Sequence, residues 1–228
     1  MRTPISILAF IAGVAYLPMA NGGMPFYTAA PIDARIVDAD TGKPVAGASI
    51  IANWQLVTGS LDGERDKGQL EVRETTTDAN GAFHFDGFTK ANPSTAELRN
   101  KDPQILIFKP GYRTKQLVND YGSRTYGLIG ATRTSQFNAT TIKLQPYATD
   151  PASGGEAAYE HFKIDVDPII AACAWKKIPN ALLAMTRERE RIKSLNPSKY
   201  VDLPTVSSAD RYEGQCGSAT DYFKALQR

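Results

Sequence analysis

Histidine and cysteine are scarce in this chain, with two of each in 228 residues. The histidines, His84 and His161, cannot build a site on three imidazoles. Glu160-His161 also lacks the second histidine one helical turn away that would let a helix face grip zinc. No Gly-x-Ser-x-Gly elbow is present, which removes the familiar nucleophilic serine arrangement. An excess of charge of one sign is lacking too: 26 Lys and Arg stand against 24 Asp and Glu, a formal net charge of +2. Nucleic acid phosphates call for a concentrated basic surface, and no basic or acidic tail exists to supply one. There is no repeat at solenoid or propeller periods and no low-complexity stretch. No metal, cofactor or nucleic acid is expected from this inventory.

Long hydrophobic runs are equally absent. The longest apolar stretch, Ile5 to Leu17, falls short of the roughly 20 residues that a membrane-spanning helix needs. It follows Arg2 and precedes Pro18 and Ala20-Asn21-Gly22, the order of a secretory signal, so residues 1–22 are expected to be removed on export to the periplasm or the medium. Pro18 disturbs the cleavage site, which leaves an uncleaved inner-membrane anchor as the alternative and the only route to a membrane. Export gives the cysteines a meaning. An even count in an oxidising compartment favours a Cys173–Cys216 disulfide over two buried thiols. Closing a loop of that length contributes roughly 4 kcal/mol in the chain-entropy model.

What the sequence does have is turn chemistry at fixed places. Ala34 to Ala48 and Thr75 to Phe85 each read as strand, tight turn, strand. In each, an Asp or Asn is set to cap the turn, and Gly42 or Gly81 sits where the backbone needs positive φ. Seven β runs precede Asp150: Ile32–Val37, Ala48–Trp54, Leu70–Thr77, Ala82–Asp86, Gln104–Lys109, Tyr112–Leu117 and Thr140–Leu144. Short strands separated by turns predict a sandwich over residues 27–147. Phe83 and Phe85 alternate with His84 and Asp86, so the rings should face the core. The unbroken apolar run Ile105 to Phe108 suits a strand buried on both faces, with the C-terminal segment covering one of them.

Beyond Asp150 the composition turns helical, giving an extension over residues 155–228. Ser153 and Glu156 have capping-box spacing for a helix through Lys163. Asp167-Pro168 starts a second helix that Pro179 ends or kinks. A third runs from Asn180 to Leu195, and Ser218 with Asp221 caps a last one over Ala219–Leu226. Lys199 to Gly214 reads as irregular chain.

The motif residues Asp38, Gly42, Pro44, Gly47, Ala48, Thr77, Asp78, Gly81, Phe83, Pro110, Gly111 and Tyr112 match a family pattern. Through them the chain resembles the carboxypeptidase regulatory-like domain, a member of the transthyretin-like (prealbumin-like) group. The resemblance implies a mainly β fold, a seven-stranded, Ig-like transthyretin-like β-sandwich followed here by an α-helical C-terminal segment. It also implies an exported accessory or adhesion-like module without catalysis. Ala52-Asn53-Trp54-Gln55 and Pro110-Gly111-Tyr112 look like segments of intradiol dioxygenases. Those enzymes hold ferric iron with a His-x-His pair where this chain reads Gln104-Ile105-Leu106-Ile107. The transthyretin-like ureide hydrolases have a histidine near the first strand and a Tyr-Arg-Gly-Ser ending, and both are missing.

Val118 to Phe137 is polar and Gly-rich, and it sets Tyr121, Arg124 and Tyr126 together. Tyr and Arg are enriched at binding hot spots, and Tyr stacks on sugars, which makes these three the expected binding residues. The competing reading has their rings anchoring the segment to the helices. Gly59 to Gly68 reads as a solvated hairpin loop, and His84 with Asp86 as a solvated pair. Asp38 and Asp40 read as turn caps rather than as calcium ligands. The expected function is an exported, non-catalytic binding or structural module of the bacterial cell envelope with a protein or carbohydrate partner. The alternative is an enzyme of unrecognised type on the same fold, hydrolase or dioxygenase-like.

Overall fold

Asp38 and Asp78 each close a tight turn with a single carboxylate oxygen. Asp38 Oδ1 accepts from the N–H of Asp40 at 3.0 Å and of Thr41 at 2.8 Å, and Asp78 Oδ1 accepts from the N–H of Asn80 and Ala82, both at 2.8 Å. The glycines that follow, Gly42 and Gly81, have φ of 70° and 71°. The two turns then dock on each other. Thr77 donates its hydroxyl to the Val45 carbonyl at 2.7 Å and receives the Ala48 N–H at 2.8 Å. The Ile36 N–H meets the Gly81 carbonyl at 2.7 Å. A Cβ on Gly81 would strike the Ile36 carbonyl oxygen, so glycine is required there by space as well as by φ.

The computed structural model describes residues 24–61, 63–99, 101–119, 124–127, 130–146, 166–195, 197–198 and 202–226, and of residues 124–127, 130, 131 and 195 the backbone alone. Twelve strands lie among them: β1 Phe26–Ala29, β2 Ile32–Asp38, β3 Ser49–Ser60, β4 Gly63–Thr76, β5 Ala82–Phe85, β6 Phe88–Ala91, β7 Glu97–Leu98, β8 Gln104–Phe108, β9 Lys115–Leu117, β10 Arg124–Gly127, β11 Gly130–Arg133 and β12 Thr140–Leu144. Each of the seven expected runs overlaps one of these strands, but only Lys115–Leu117 of Tyr112–Leu117 is strand, and β3 and β4 extend well past the runs expected for them. The five additional ones, β1, β6, β7, β10 and β11, are short and mostly polar or small, so no apolar alternation marks them.

The strands form three sheets, ordered β10-β11-β1-β6, β12-β2-β5, and β4-β3-β8-β9 with β7 also on β3. One core joins the second sheet to the third. Ile32, Ile36, Phe83, Phe85, Ile142 and Leu144 meet Ile50, Trp54, Leu70, Ile105 and Ile107. The alternation expected for β5 holds, with Phe83 and Phe85 buried and His84 exposed.

The third sheet is buried on its other face as well. Ile51, Val72, Leu106 and Phe108 pack against a helical layer of α1 Asp167–Ala171, α2 Pro179–Leu195, α3 Val206–Ala209, α4 Glu213–Cys216 and α5 Ala219–Leu226. Neighbouring residues of β8 therefore belong to different cores, which explains its unbroken apolar run. Cys173 and Cys216 are joined as expected, with Cα atoms 5.2 Å apart, and both lie within the helical layer. Trp175 stacks edge-on against Tyr222 at 5.3 Å in the same layer.

Several helix boundaries differ from the sequence reading. The helix begun at Asp167 stops at Ala171 because Cys173 adopts φ 59°, and a 3₁₀ turn follows over Ala174–Lys177. Pro179 starts α2 rather than ending its predecessor, since a first-turn proline needs no N–H partner. The stretch expected to be irregular holds α3 and α4, and Thr205 with Ser208 forms the capping box of α3. The helix expected from Ser153 to Lys163 lies outside the described residues.

Candidate functional site

The segment singled out for binding is partly a hairpin. β10 and β11 pair antiparallel with Arg124 opposite Arg133 and Tyr126 opposite Ala131, and β11 runs parallel to β1 with Thr132 beside Thr28. Arg124 and Tyr126 thus have ordered backbones on β10 where an open loop was expected. Tyr121 lies outside the described residues. The cross-strand pattern of Thr and Gly at this hairpin carries no apolar period, which is why its sequence reads as loop.

Beneath the hairpin lies a belt of buried polar side chains that the sequence reading did not assemble. Asn53, Gln55, Asp102, Asn119, Arg133 and Ser135 are all under a tenth exposed, and Asp102 is at 0%. Asp102 stands where β8, extended backwards, would continue its ladder with β3. Its carboxylate Oδ2, rather than its carbonyl, receives the Gln55 N–H. The displaced carbonyl accepts instead from Asn119 Nδ2 at 2.8 Å and from Arg133 Nη1 at 3.5 Å. Asn119 Nδ2 also reaches the Thr134 carbonyl at 2.7 Å, and Asn119 Oδ1 takes the Gln136 N–H at 3.1 Å. One asparagine thereby fixes both the chain entering β8 and the chain leaving β11.

Electrostatics sets Asp102 apart. Burial pushes its carboxyl up to about 8, and the Gln55 N–H with the charges of Arg99 and Arg133 offsets only part of that. At neutral pH it is a protonated acid, able to donate as well as accept. Its Oδ1 has no hydrogen-bond partner among the described residues. The belt therefore offers hydrogen-bond donors and acceptors around one buried cation, Arg133.

Among the described residues, His84, Asp38, Glu71 and Glu74 are each held by hydrogen bonds or ion pairs within the fold. His84 lies between two carboxylates, with Nδ1 at 2.7 Å from Asp33 and Nε2 at 3.0 Å from Asp86. Those hydrogen bonds raise its pKa, that to Asp86 most. The sequence reading paired His84 with Asp86 alone, since Asp33 comes from the opposite position on β2. Asp38 sits below the usual carboxylate range, chiefly through the Thr41 N–H, and its Oδ2 also receives the Tyr112 hydroxyl at 3.0 Å. Glu71 bridges Lys90 at 2.7 Å on β6 and Lys177 at 2.9 Å on the 3₁₀ turn of the helical layer. Glu74 accepts from the N–H groups of Asn180 and Ala181 and so caps α2. Burial nonetheless raises its pKa.

Gly59 to Gly68, read as a solvated loop, is the far end of the β3–β4 hairpin, whose Gly63 to Lys67 are exposed although hydrogen-bonded as strand. Among the described residues no group of three or more His, Cys, Asp and Glu could hold a metal ion. No helix there is long and apolar enough to cross a membrane.

No protein-family model matches the chain, and no curated protein matches it. Among solved structures, 3-chlorocatechol 1,2-dioxygenase from Rhodococcus opacus 1CP is 13% identical with a TM-score of 0.30, over 64% of this chain and 72% of that one. The pilus 2b backbone protein of group B streptococcus is 12% identical with a TM-score of 0.26, over 52% of this chain and 41% of that one. The dioxygenase domain of a carbohydrate-binding fusion from Streptomyces sp. SirexAA-E is 14% identical with a TM-score of 0.28, over 56% and 84%. Likeness at this level carries no argument about activity.

Proposed function

We propose that this protein is an exported, non-catalytic binding or structural module of the bacterial cell envelope. In this reading the seven strands foreseen from the sequence form a transthyretin-like, Ig-like sandwich of the carboxypeptidase regulatory-like kind. The β10–β11 hairpin and the chain before it, with Tyr121, Arg124 and Tyr126, carry recognition. The observation that supports it best is the structural commitment of the reactive groups. The cysteines are bonded to each other, His84 is held by Asp33 and Asp86, and Asp38 and Glu74 cap backbone N–H groups. The polar belt under the hairpin supports it further, because Asn119 and Arg133 tie β11 to the rigid third sheet. A recognition element on a fixed base loses less freedom on binding.

The test is made in the native host. Cell fractionation with N-terminal sequencing of the mature chain should find it outside the cytoplasm and beginning after Gly22. Cross-linking in intact cells should capture a partner with the parent protein and lose it in the Tyr121→Ala/Tyr126→Ala variant at unchanged melting temperature. A cytoplasmic chain, or a partner retained by the variant, would refute the reading. Earlier melting of the variant would assign the two rings to anchoring instead.

A further inference from the structure

One face of the third sheet is divided in two. Its apolar half, Ile51, Val72, Leu106 and Phe108, is covered by the helices. Next to it the strand register sets a row of uncharged amides across all four main strands. Gln55 on β3 is paired with Gln69 on β4, and Asn53 on β3 with Gln104 on β8. Gln116 on β9 lies opposite Leu106 and donates from Nε2 to Gln104 Oε1 at 3.5 Å. These five share a side because Ile50, Ala52, Trp54, Ile105 and Ile107, the residues between them and their neighbours, all enter the opposite core.

The row is under-used in hydrogen bonding. The amide oxygen of Asn53 and both amide atoms of Gln69 have no partner among the described residues, although Asn53 is only 3% exposed. Buried polar atoms of this kind are ordinarily paired, so each points to a missing partner. The middle of the row, Asn53 and Gln55, is buried. Gln69 and Gln104 on either side are half-buried, and Gln116 is exposed.

We propose that this amide row is a binding site for a neutral saccharide chain, an inference that rests on the binding-module reading. None of the five side chains is charged, which disfavours an ionic ligand. An amide presents donor and acceptor side by side, and a sugar hydroxyl is likewise both. The row runs across the strands, where backbone N–H and C=O groups are already paired within the sheet. Recognition there falls to side chains alone, which suits a ligand dense in hydroxyls over an added peptide strand docking on edge backbone.

The test is calorimetric titration of the purified protein with the neutral hexasaccharides cellohexaose, maltohexaose and chitohexaose. Hexaglycine and a galacturonic acid hexamer are run in parallel. At least one neutral sugar should bind, and Gln69→Leu, Gln104→Leu and Gln116→Leu should each raise its Kd about tenfold, one hydrogen bond's worth. Gln116 is exposed, so its variant folds whatever the others do. Tighter binding of the peptide or of the charged hexamer overturns the assignment, as does no binding of any neutral sugar. Sugar binding that ignores all three Gln variants but is lost in Tyr121→Ala/Tyr126→Ala overturns the amide row and leaves the binding module standing.

Discussion

Replacing Asp102 by Asn should make the protein more stable, and by far more at pH 8 than at pH 5. Asp102 is fully buried, one carboxyl oxygen receives the Gln55 N–H, and the other has no partner among the described residues. Burial lifts its pKa from 3.8 to about 8. Below the lower value the group is protonated whether the chain is folded or not. Between the two values the folded chain keeps a proton that the unfolded chain has released. Folding then takes up a proton, and stability falls with rising pH by about 1.4 kcal/mol per unit. Above the upper value the loss is complete. Across the roughly four units between them it amounts to about 6 kcal/mol, a large share of the 5–15 kcal/mol typical of a domain.

Asparagine keeps the shape and an oxygen for the Gln55 N–H but does not titrate, so that slope should vanish. Asp102→Ala is the control. It leaves the Gln55 N–H unpaired and should cost about 1–3 kcal/mol even at pH 5. Urea unfolding of the three proteins at pH 5, 6.5 and 8 gives the comparison directly. Parent and Asp102→Asn curves that run parallel across this range would refute the argument.

Phe85 is 4% exposed and faces Phe83 at 5.8 Å in the core between the sheets. Phe85→Ala should cost about 3–5 kcal/mol in denaturant unfolding, with His84→Ala next to it costing a small fraction of that; equal losses would show the register to be wrong. The His84 ring should titrate by NMR above the ordinary imidazole value of 6.5, and Asp86→Asn should bring the midpoint down. A raised histidine pKa contributes stability that is fully present below 6.5 and is lost as pH rises through the folded value, so the Asp86 variant should match the parent best at high pH. Non-reducing mass spectrometry should recover a linked Cys173–Cys216 peptide, and free thiols at both would refute the pairing. A double Cys→Ser variant should lose hydrogen-exchange protection in the helices before the sheets, because both cysteines lie in the helical layer.

The turns at Asp38 and Asp78 were legible in the sequence because their chemistry is local: a carboxylate, N–H groups within four residues and a glycine. The run Ile105 to Phe108 was legible because only a strand covered on both faces can hide four consecutive apolar side chains. The hairpin at Arg124 to Arg133 was not, since strand pairing there is fixed by β1 and not by an apolar pattern of its own. Asp102, Asn119 and Arg133 look like ordinary surface residues in sequence, and it takes the tertiary fold to bury them together. A signal existed in Asn53-Trp54-Gln55, where two amides interrupt an otherwise apolar strand. Polar residues at such positions mark a buried network or a site.

Glu74 gives the architecture a direction. The first N–H groups of α2 find their acceptor on a strand more than one hundred positions earlier in the chain. Most of a helix's stability in a protein comes from tertiary packing rather than from the helix alone. The helices therefore depend on the sheet for their start, whereas the sheet owes its hydrogen-bond ladders to its own strands. The debt in the other direction is one of concealment. Stripped of the helices, the third sheet would show Ile51, Val72, Leu106 and Phe108 as one continuous apolar surface. Such surfaces drive self-association. The C-terminal helices thus act as a lining for a face that the strands cannot cover by themselves.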